Sequence, residues 1–136
     1  MGGPRLVPLK LLLKQLEAVC HLYVKIRGKR RTGGFCERCG IRLIFSANHV
    51  LSSGDWPGTR YDEDNIYAGC AECNERERWH RQPELEWWRQ KLGPEKMDAL
   101  VAKGRHRDES GELKQWNRAE IMEEITRFKK LLAGGR

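Results

Sequence analysis

Long apolar runs are missing from this sequence. The longest one near its start, Leu11 to Leu13, is bounded by Lys10 and Lys14, and charged residues make up 33% of the chain. No segment therefore approaches the roughly 20 apolar residues that span a bilayer. A continuous apolar leader with a small-residue cleavage site is also missing. We expect no membrane segment and a reducing compartment, in which cysteines are free, catalytic or metal-bound rather than disulfide-bonded.

Repeats and low-complexity segments are missing as well. The 136 residues, of which 39% are hydrophobic, suffice for one modest core. We therefore expect a single domain over 1–136 with three consecutive parts. These are a basic N-terminal helix and linker over 1–35, a cysteine-bounded core over 36–82 and C-terminal helices over 83–136.

Apolar spacing and helix-breaking residues predict the local elements. The first is a helix over 9–26 that ends before Gly28. Two strands follow over 42–46 and 65–68, with a loop over 51–59 between them, and a helix begins near Cys73. The last third contains a helix from Pro83 that Gly93 ends, a helix that stops at Gly104, a polar linker over 105–115, and a final helix capped by Asn117 and Glu120.

The net charge of +7 is concentrated near the start of the chain. Residues 1–35 hold eight basic side chains and one acidic, whereas the rest of the chain balances. The densest run consists of Lys25, Arg27, Lys29, Arg30 and Arg31. Such a run suits a DNA phosphate backbone. A solvated helix end has the same composition, and the run taken alone favours that interpretation.

Two C-x-x-C pairs, Cys36 with Cys39 and Cys70 with Cys73, are separated by thirty residues. Four thiolates from two tight turns complete a tetrahedral Zn²⁺ shell, which leaves no open position for catalysis, so the zinc is structural. A redox C-x-x-C is the alternative, but redox chemistry needs only one pair. Cys20 lies in the apolar stripe of the first helix, where we expect a small core residue.

After the first cysteine pair the predicted order is a strand, a histidine, a loop, an asparagine, a second strand and, at the second pair, a helix. His49 follows the first predicted strand, Asn65 begins the second, and Asn74 directly follows Cys73. This order resembles the ββα-metal arrangement of HNH nucleases, the His-Me finger. The resemblance implies an α+β fold with a small zinc-clamped ββα-metal core and flanking N-terminal and C-terminal α-helices. It also implies that His49 is the general base, that Asn65 braces the loop and that Asn74 binds a catalytic Mg²⁺ or Mn²⁺.

A narrower resemblance is to the phage NinG/Rap recombination endonucleases. The motifs that carry it are Cys36-x-x-Cys39-Gly40, Ala47-x-His49, Arg60-Tyr61-Asp62-Glu63-Asp64-Asn65-Ile66, Cys70-x-x-Cys73-Asn74 and Leu92-Gly93-x-Glu95-x-Met97-Asp98. The paired cysteines and the following asparagine are also similar to endonuclease VII. The resemblance implies cleavage of branched DNA, such as Holliday junctions or D-loops, by a phage or prophage protein in the cytoplasm of a bacterial host. The final helix is a candidate for a homodimer contact, since a junction resolvase cuts two strands.

One position departs from the HNH pattern. Many HNH proteins have an aspartate before the base histidine as a second metal ligand, and this chain has Asn48. An amide oxygen can coordinate Mg²⁺ but is neutral, so Asn48 is only a candidate ligand. Arg60 is a candidate phosphate contact, and Trp56 either wedges into a DNA branch or anchors its loop. A non-cleaving zinc DNA-binding module and a general HNH enzyme that nicks ordinary duplex are the competing functions.

Overall fold

The computed structural model describes residues 6–105, 110–112 and 114–134. Within them the chain is α+β, with five α-helices and one two-stranded antiparallel sheet. In chain order the elements are α1 (Leu9–Thr32), β1 (Ser46–His49), a short 3₁₀ helix (Pro57–Thr59), β2 (Ile66–Gly69), α2 (Ala71–Trp79), α3 (Arg81–Leu92), α4 (Pro94–Gly104) and α5 (Arg118–Gly134). Across the described residues, no helix combines the length and the apolar character that crossing a bilayer requires.

The chain divides into two compact units. The helical unit comprises residues 1–23 and 116–136, and the cysteine unit comprises residues 24–115. The buried apolar residues of the helical unit are Leu12, Leu16, Cys20, Ile121, Ile125 and Phe128. The rings of Tyr23 and Phe128 lie 5.8 Å apart. Cys20 is fully buried, so its predicted place in the core is confirmed.

Helix α1 is longer than the sequence predicts. It continues through Gly28 to Thr32, because Gly28 is buried against β2. A Cβ built on Gly28 would lie 2.3 Å from the Cβ of Ala68, so only glycine allows this approach. Arg27 Nη2 also donates a hydrogen bond to the Ile66 carbonyl at 2.7 Å. These contacts offset the low helix propensity of glycine, and the basic run lies on a helix rather than in a linker.

The first strand lies four residues later than predicted. In the observed sheet, His49 at the end of β1 lies opposite Ile66 at the start of β2. The segment over 42–46 alternates as a strand does, but among residues 42–45 only Leu43 makes a ladder contact, an isolated bridge to Phe35. The alternating pattern over 42–46 therefore does not correspond to a strand with one side chain face packed on a core.

The later helices lie close to their predicted positions. α3 begins two residues before Pro83, and α4 ends at Gly104 as expected. At α5 the Glu120 N–H donates to Asn117 Oδ1 at 2.9 Å, and the Asn117 N–H donates to Glu120 Oε1 at 3.2 Å. The predicted capping box is confirmed. The predicted linker over 105–115 lies partly outside the described residues.

The core of the cysteine unit surrounds the cysteines. The rings of Tyr67 and Trp88 lie 4.5 Å apart in this cluster, which also contains Val50, Leu51, Trp56, Met97 and Leu100. Glu84 is buried, and Arg38 donates to its two carboxylate oxygens at 2.8 and 3.1 Å. This pairing compensates the burial of the Glu84 charge and ties the first cysteine turn to α3.

Candidate functional site

All four cysteines of the two pairs come together. Their sulfur atoms lie within 4.8 Å of one another, and the sulfurs of Cys39 and Cys70 are 3.9 Å apart. Four thiolates bound to one zinc ion at about 2.3 Å are about 3.8 Å apart, so the spacing fits that metal. Cys36, Cys70 and Cys73 are buried, and Cys39 is half-buried. The cluster could therefore hold a metal such as zinc.

Local hydrogen bonds form the two cysteine turns. Cys36 Sγ accepts the N–H of Arg38 at 3.4 Å, and the Gly40 N–H donates to the Cys36 carbonyl at 2.9 Å. Gly40 has a φ of 69°, a left-handed conformation that favours glycine. In the second turn, Cys70 Sγ accepts the N–H of Cys73 at 3.4 Å and so caps α2. The second cysteine pair is therefore also the start of α2.

The thiols differ in how easily they ionise. Burial raises the pKa of Cys36 and, more strongly, that of Cys73. Burial acts the same way on Cys39, but hydrogen bonds from the backbone of Arg42 and Ile41 lower its pKa to about 6. Metal ligation needs thiolates, so binding would release protons from the more buried sulfurs.

A polar cleft of about 540 Å³ lies beside the cysteine cluster. His49 reaches it from the end of β1, and Asn74 and Glu77 reach it from α2, where a spacing of three residues places them on one helix face. Glu75, Arg78 and Arg81 also line it. The structure thus brings together His49 and Asn74, two of the predicted catalytic residues.

The ring of His49 is oriented by the backbone. Its Nε2 lies 3.0 Å from the carbonyl oxygen of Arg60. Because a carbonyl only accepts, Nε2 is the donor, and the neutral ring carries its acceptor lone pair on Nδ1. Arg60 thus contacts the site through its main chain. Its guanidinium lies 5.5 Å from the ring of Tyr61 and does not line the cleft.

Asn65 does not line the cleft but spans the loop that follows β1. It is fully buried, and its Oδ1 accepts the Leu51 N–H at 2.8 Å. Its Nδ2 donates to the carbonyls of Leu51 and Thr59, both at 3.0 Å. One side chain therefore connects the beginning of the loop to the 3₁₀ helix, and with it the segment whose carbonyl holds His49.

Asn48 lies on the opposite side of β1 from its neighbour His49, as successive strand residues do. It is fully buried, and its Oδ1 accepts from the Ser46 hydroxyl at 2.6 Å. Its Nδ2 donates to the Cys70 carbonyl at 3.1 Å. This geometry favours a structural role for Asn48, linking the sheet to the second cysteine turn, over the expected role as metal ligand.

Glu77 is a cleft residue that no motif in the sequence indicates. The Tyr67 hydroxyl donates to Glu77 Oε1 at 2.5 Å, and Asn48 Nδ2 approaches the same hydroxyl at 3.4 Å. Burial raises the pKa of Glu77 to about 8, although the bond from Tyr67 opposes the rise. Only its position in the sequence could have pointed to Glu77, because it lies one helical turn after Asn74 on α2, the helix that Cys70 caps.

The basic run lies along the end of α1. Its members differ in their surroundings: Arg27 bonds to β2, Arg31 pairs with Glu37 at 3.4 Å, and Lys25 is half-buried. Lys29 and Arg30 are exposed, and no partner within the described residues forms an ion pair with either. Lys29 and Arg30 are thus the members best placed to meet an anion.

The burial of Trp56 favours the anchor interpretation over the wedge. Only 7% of the residue is exposed, and the Arg105 guanidinium lies 4.6 Å from its ring. A Cβ on Gly104 would lie 2.7 Å from the Trp56 side chain, so α4 packs closely against it. Trp56 thus holds the loop against α4 while also lining the cleft.

Comparison with protein-family models, with curated proteins and with solved structures found no match to the chain.

Proposed function

We propose that the chain is a metal-dependent DNA endonuclease of the HNH type that hydrolyses phosphodiester bonds in branched recombination intermediates, such as Holliday junctions or D-loops. The observation that carries the proposal is that His49, Asn74 and Glu77 line one and the same cleft beside a four-cysteine cluster. The histidine ends the first strand and the two oxygen-bearing side chains lie on the helix. This arrangement agrees with the HNH resemblance.

In the proposed reaction His49 is the general base. The hydrogen bond from Nε2 to the Arg60 carbonyl fixes the tautomer, so Nδ1 accepts the proton of the attacking water. The water oxygen forms the new bond to phosphorus. The bond from phosphorus to the leaving sugar oxygen breaks, and that oxygen takes a proton from solvent.

Oxygen ligands suit Mg²⁺ and Mn²⁺, and α2 presents the Asn74 amide and the Glu77 carboxylate to the cleft on one face. These two side chains would hold the ion, whose positive charge would stabilise the phosphate oxygens as negative charge develops on them. A cation beside Glu77 would favour the ionised carboxylate, so metal binding would displace the Glu77 proton. The resulting carboxylate would supply the negative charge that the HNH pattern places before the base histidine and that Asn48 lacks.

The remaining predicted residues position this chemistry. Asn65 fixes the loop that carries the carbonyl partner of His49. A closed four-cysteine zinc site has no position for substrate, so its role is to hold β1 and α2 in place. Lys29 and Arg30 at the exposed end of α1 support binding of the DNA backbone.

The test compares a four-way junction with a linear duplex of the same sequence. The zinc-loaded chain is incubated with each DNA with and without Mg²⁺, and the initial rate of strand cleavage is measured. We expect Mg²⁺-dependent cleavage that is faster on the junction. Removing a general base lowers rates by on the order of a hundredfold to ten-thousandfold, so His49→Ala should lower the initial rate of strand cleavage by a factor in that range. His80→Ala, at an exposed histidine between α2 and α3, is the matched control and should leave the rate unchanged.

Each alternative has its own outcome. Equal rates for His49→Ala and the parent would contradict the proposed base. DNA binding without cleavage in any divalent ion would favour a non-cleaving zinc DNA-binding module. Equal cleavage of junction and duplex would favour a general HNH enzyme for ordinary duplex DNA.

A further inference from the structure

Large apolar side chains are exposed on the segment that carries the first cysteine pair. The exposed fractions are 42% for Phe35, 75% for Ile41, 68% for Leu43 and 72% for Phe45. We call these four residues the knuckle face. Single exposed apolar residues are ordinary, but four within an eleven-residue segment of a highly charged chain make a candidate binding surface.

The backbone under the knuckle face is held in place. Phe35 and Leu43 form an antiparallel bridge, and the Ile44 N–H donates to the Gly34 carbonyl at 2.9 Å. The Phe45 N–H donates to the Gly69 carbonyl of β2 at 2.8 Å. The apolar side chains are therefore presented by a hydrogen-bonded scaffold, which limits the ordering entropy lost on binding.

The knuckle face directly adjoins the basic end of α1. Thr32 Oγ1, at the last residue of the helix, accepts the Phe35 N–H at 2.9 Å. Arg31 pairs with Glu37 of the first cysteine turn, and Glu37 in turn accepts the Ala68 N–H of β2 at 2.7 Å. These contacts fix the position of the helix end relative to the knuckle face.

We infer that the knuckle face contacts unstacked DNA bases at a branch point, while the exposed Lys29 and Arg30 hold the flanking phosphates. The inference rests on the proposed DNA substrate. The charge next to the knuckle face favours a nucleic acid as its binding partner, since residues 24–35 hold five basic side chains and no acidic one. A second copy would bring the same positive charge against itself, whereas a nucleic acid backbone neutralises it. Apolar side chains such as Phe, Leu and Ile insert between base steps, and bases already unstacked at a branch are the easiest to reach.

The test uses the full zinc-loaded chain without added Mg²⁺. A four-way junction and a linear duplex each carry 2-aminopurine, at the branch point or the equivalent position, and both fluorescence and affinity are measured. The variant combines Ile41→Ser, Leu43→Ser and Phe45→Ser. Met122→Ser, in the helical unit and 52% exposed, is the matched control. Zinc content and far-UV circular dichroism verify folding, and Ile41→Ser alone replaces the triple variant if that one does not bind zinc.

We expect the parent and the control to raise 2-aminopurine fluorescence at the branch. The triple variant should lose this signal and bind the junction about tenfold or more weakly, the scale of one stacked base, with duplex affinity unchanged. Equal signal and affinity in parent and triple variant would overturn the inference. So would a parent dimer that becomes monomeric in the variant while the signal per bound chain stays the same, because the face would then belong to a second copy.

The outcomes also separate this inference from the proposed function. A branch-point signal without cleavage in Mg²⁺ would overturn the nuclease and leave the base contact standing. Junction cleavage by the parent without any branch-point signal would overturn the base contact alone. A parent that binds no DNA would overturn both.

Discussion

The two units of the molecule are stabilised in different ways. The helical unit has a core of apolar side chains at helical spacing and a capping box at α5. The cysteine unit also has an apolar core, but it contains in addition two strands of four residues each, the four-cysteine cluster and the fully buried polar residues Asn48, Thr59 and Asn65. Apolar packing loses stability gradually under substitution, whereas a buried polar network fails when one partner is lost. The candidate site therefore lies in the unit whose stability is expected to be more sensitive to single substitutions.

The largest contrast is expected between two buried cysteines, one in each unit. Cys73→Ala removes one of the four cysteines that could hold zinc. Structural zinc binding is worth about 10–16 kcal/mol in zinc-finger peptides, so we expect the cysteine unit to unfold. Cys20→Ala removes only a core sulfur and should lower the free energy of unfolding by about 1–2 kcal/mol. Zinc content, near-UV circular dichroism and chemical denaturation measure both. A zinc-loaded Cys73→Ala variant as stable as the parent would contradict the structural role of the cluster.

The next largest effect is expected at Asn65. Asn65→Ala leaves the Leu51 N–H and carbonyl without the hydrogen bonds that this side chain makes, whereas the Thr59 carbonyl still accepts the Asp62 N–H at 3.1 Å. Each unsatisfied buried group costs about 1–3 kcal/mol, so we expect a loss of about 3 kcal/mol in the free energy of unfolding. Urea denaturation of the zinc-loaded chain measures it. If Asn65→Ala lowered the free energy of unfolding by less than substitution of an exposed surface residue does, water would be replacing these hydrogen bonds. That result would contradict the bracing role of Asn65.

Glu77 should make the stability of the cysteine unit depend on pH. Its folded pKa of about 8 lies above the ordinary 4.5, so the folded state binds this proton more tightly than the unfolded chain. Its stabilising contribution is therefore complete below pH 4.5 and is lost as the pH rises through about 8. Each pKa unit corresponds to about 1.4 kcal/mol, and partial access of water reduces the total to on the order of 2 kcal/mol.

The measurement is the free energy of unfolding of parent and Glu77→Gln at pH 5, 7 and 9 without Mg²⁺. The glutamine keeps an oxygen that accepts from the Tyr67 hydroxyl. Because both chains contain the same cysteines, the difference in their free energies of unfolding cancels the contribution of the cysteines to the pH dependence. Stability of the parent relative to Glu77→Gln should fall as the pH rises. Glu75→Gln, an exposed cleft glutamate on the same helix, is the control. Equal slopes in parent and Glu77→Gln would contradict the burial of this charge.

The helices and the cysteine cluster could be predicted from the sequence because their signals are local. Apolar spacing, capping residues and C-x-x-C turns each act within a few neighbouring residues. The capping box at Asn117 and the burial of Cys20 follow from such signals alone.

The remaining features depend on residues far apart in the chain. α1 continues past Gly28 because Ala68, forty residues later, leaves space only for a glycine. β1 begins at Ser46 because the buried Asn48 bonds to Cys70 and the strand pairs with β2. The alternation over 42–46 was therefore wrong as a strand signal, and the same residues form much of the exposed knuckle face. Glu77 has no motif of its own, and only the fold shows that it lies in the cleft.

The smallest effect is expected at Asn117, the counterpart of Asn65 in the helical unit. Its side chain is exposed and bonds to one helix N–H, so Asn117→Ala should lower the free energy of unfolding by only about 1 kcal/mol. Asn117→Asp keeps the acceptor oxygen and places a negative charge at the start of the helix, so it should restore the parent's stability. Urea midpoints at constant m-value measure both variants. If Asn117→Ala destabilises the chain as much as Asn65→Ala does, the two units do not differ in the way proposed here, because an exposed cap would then matter as much as a buried polar brace.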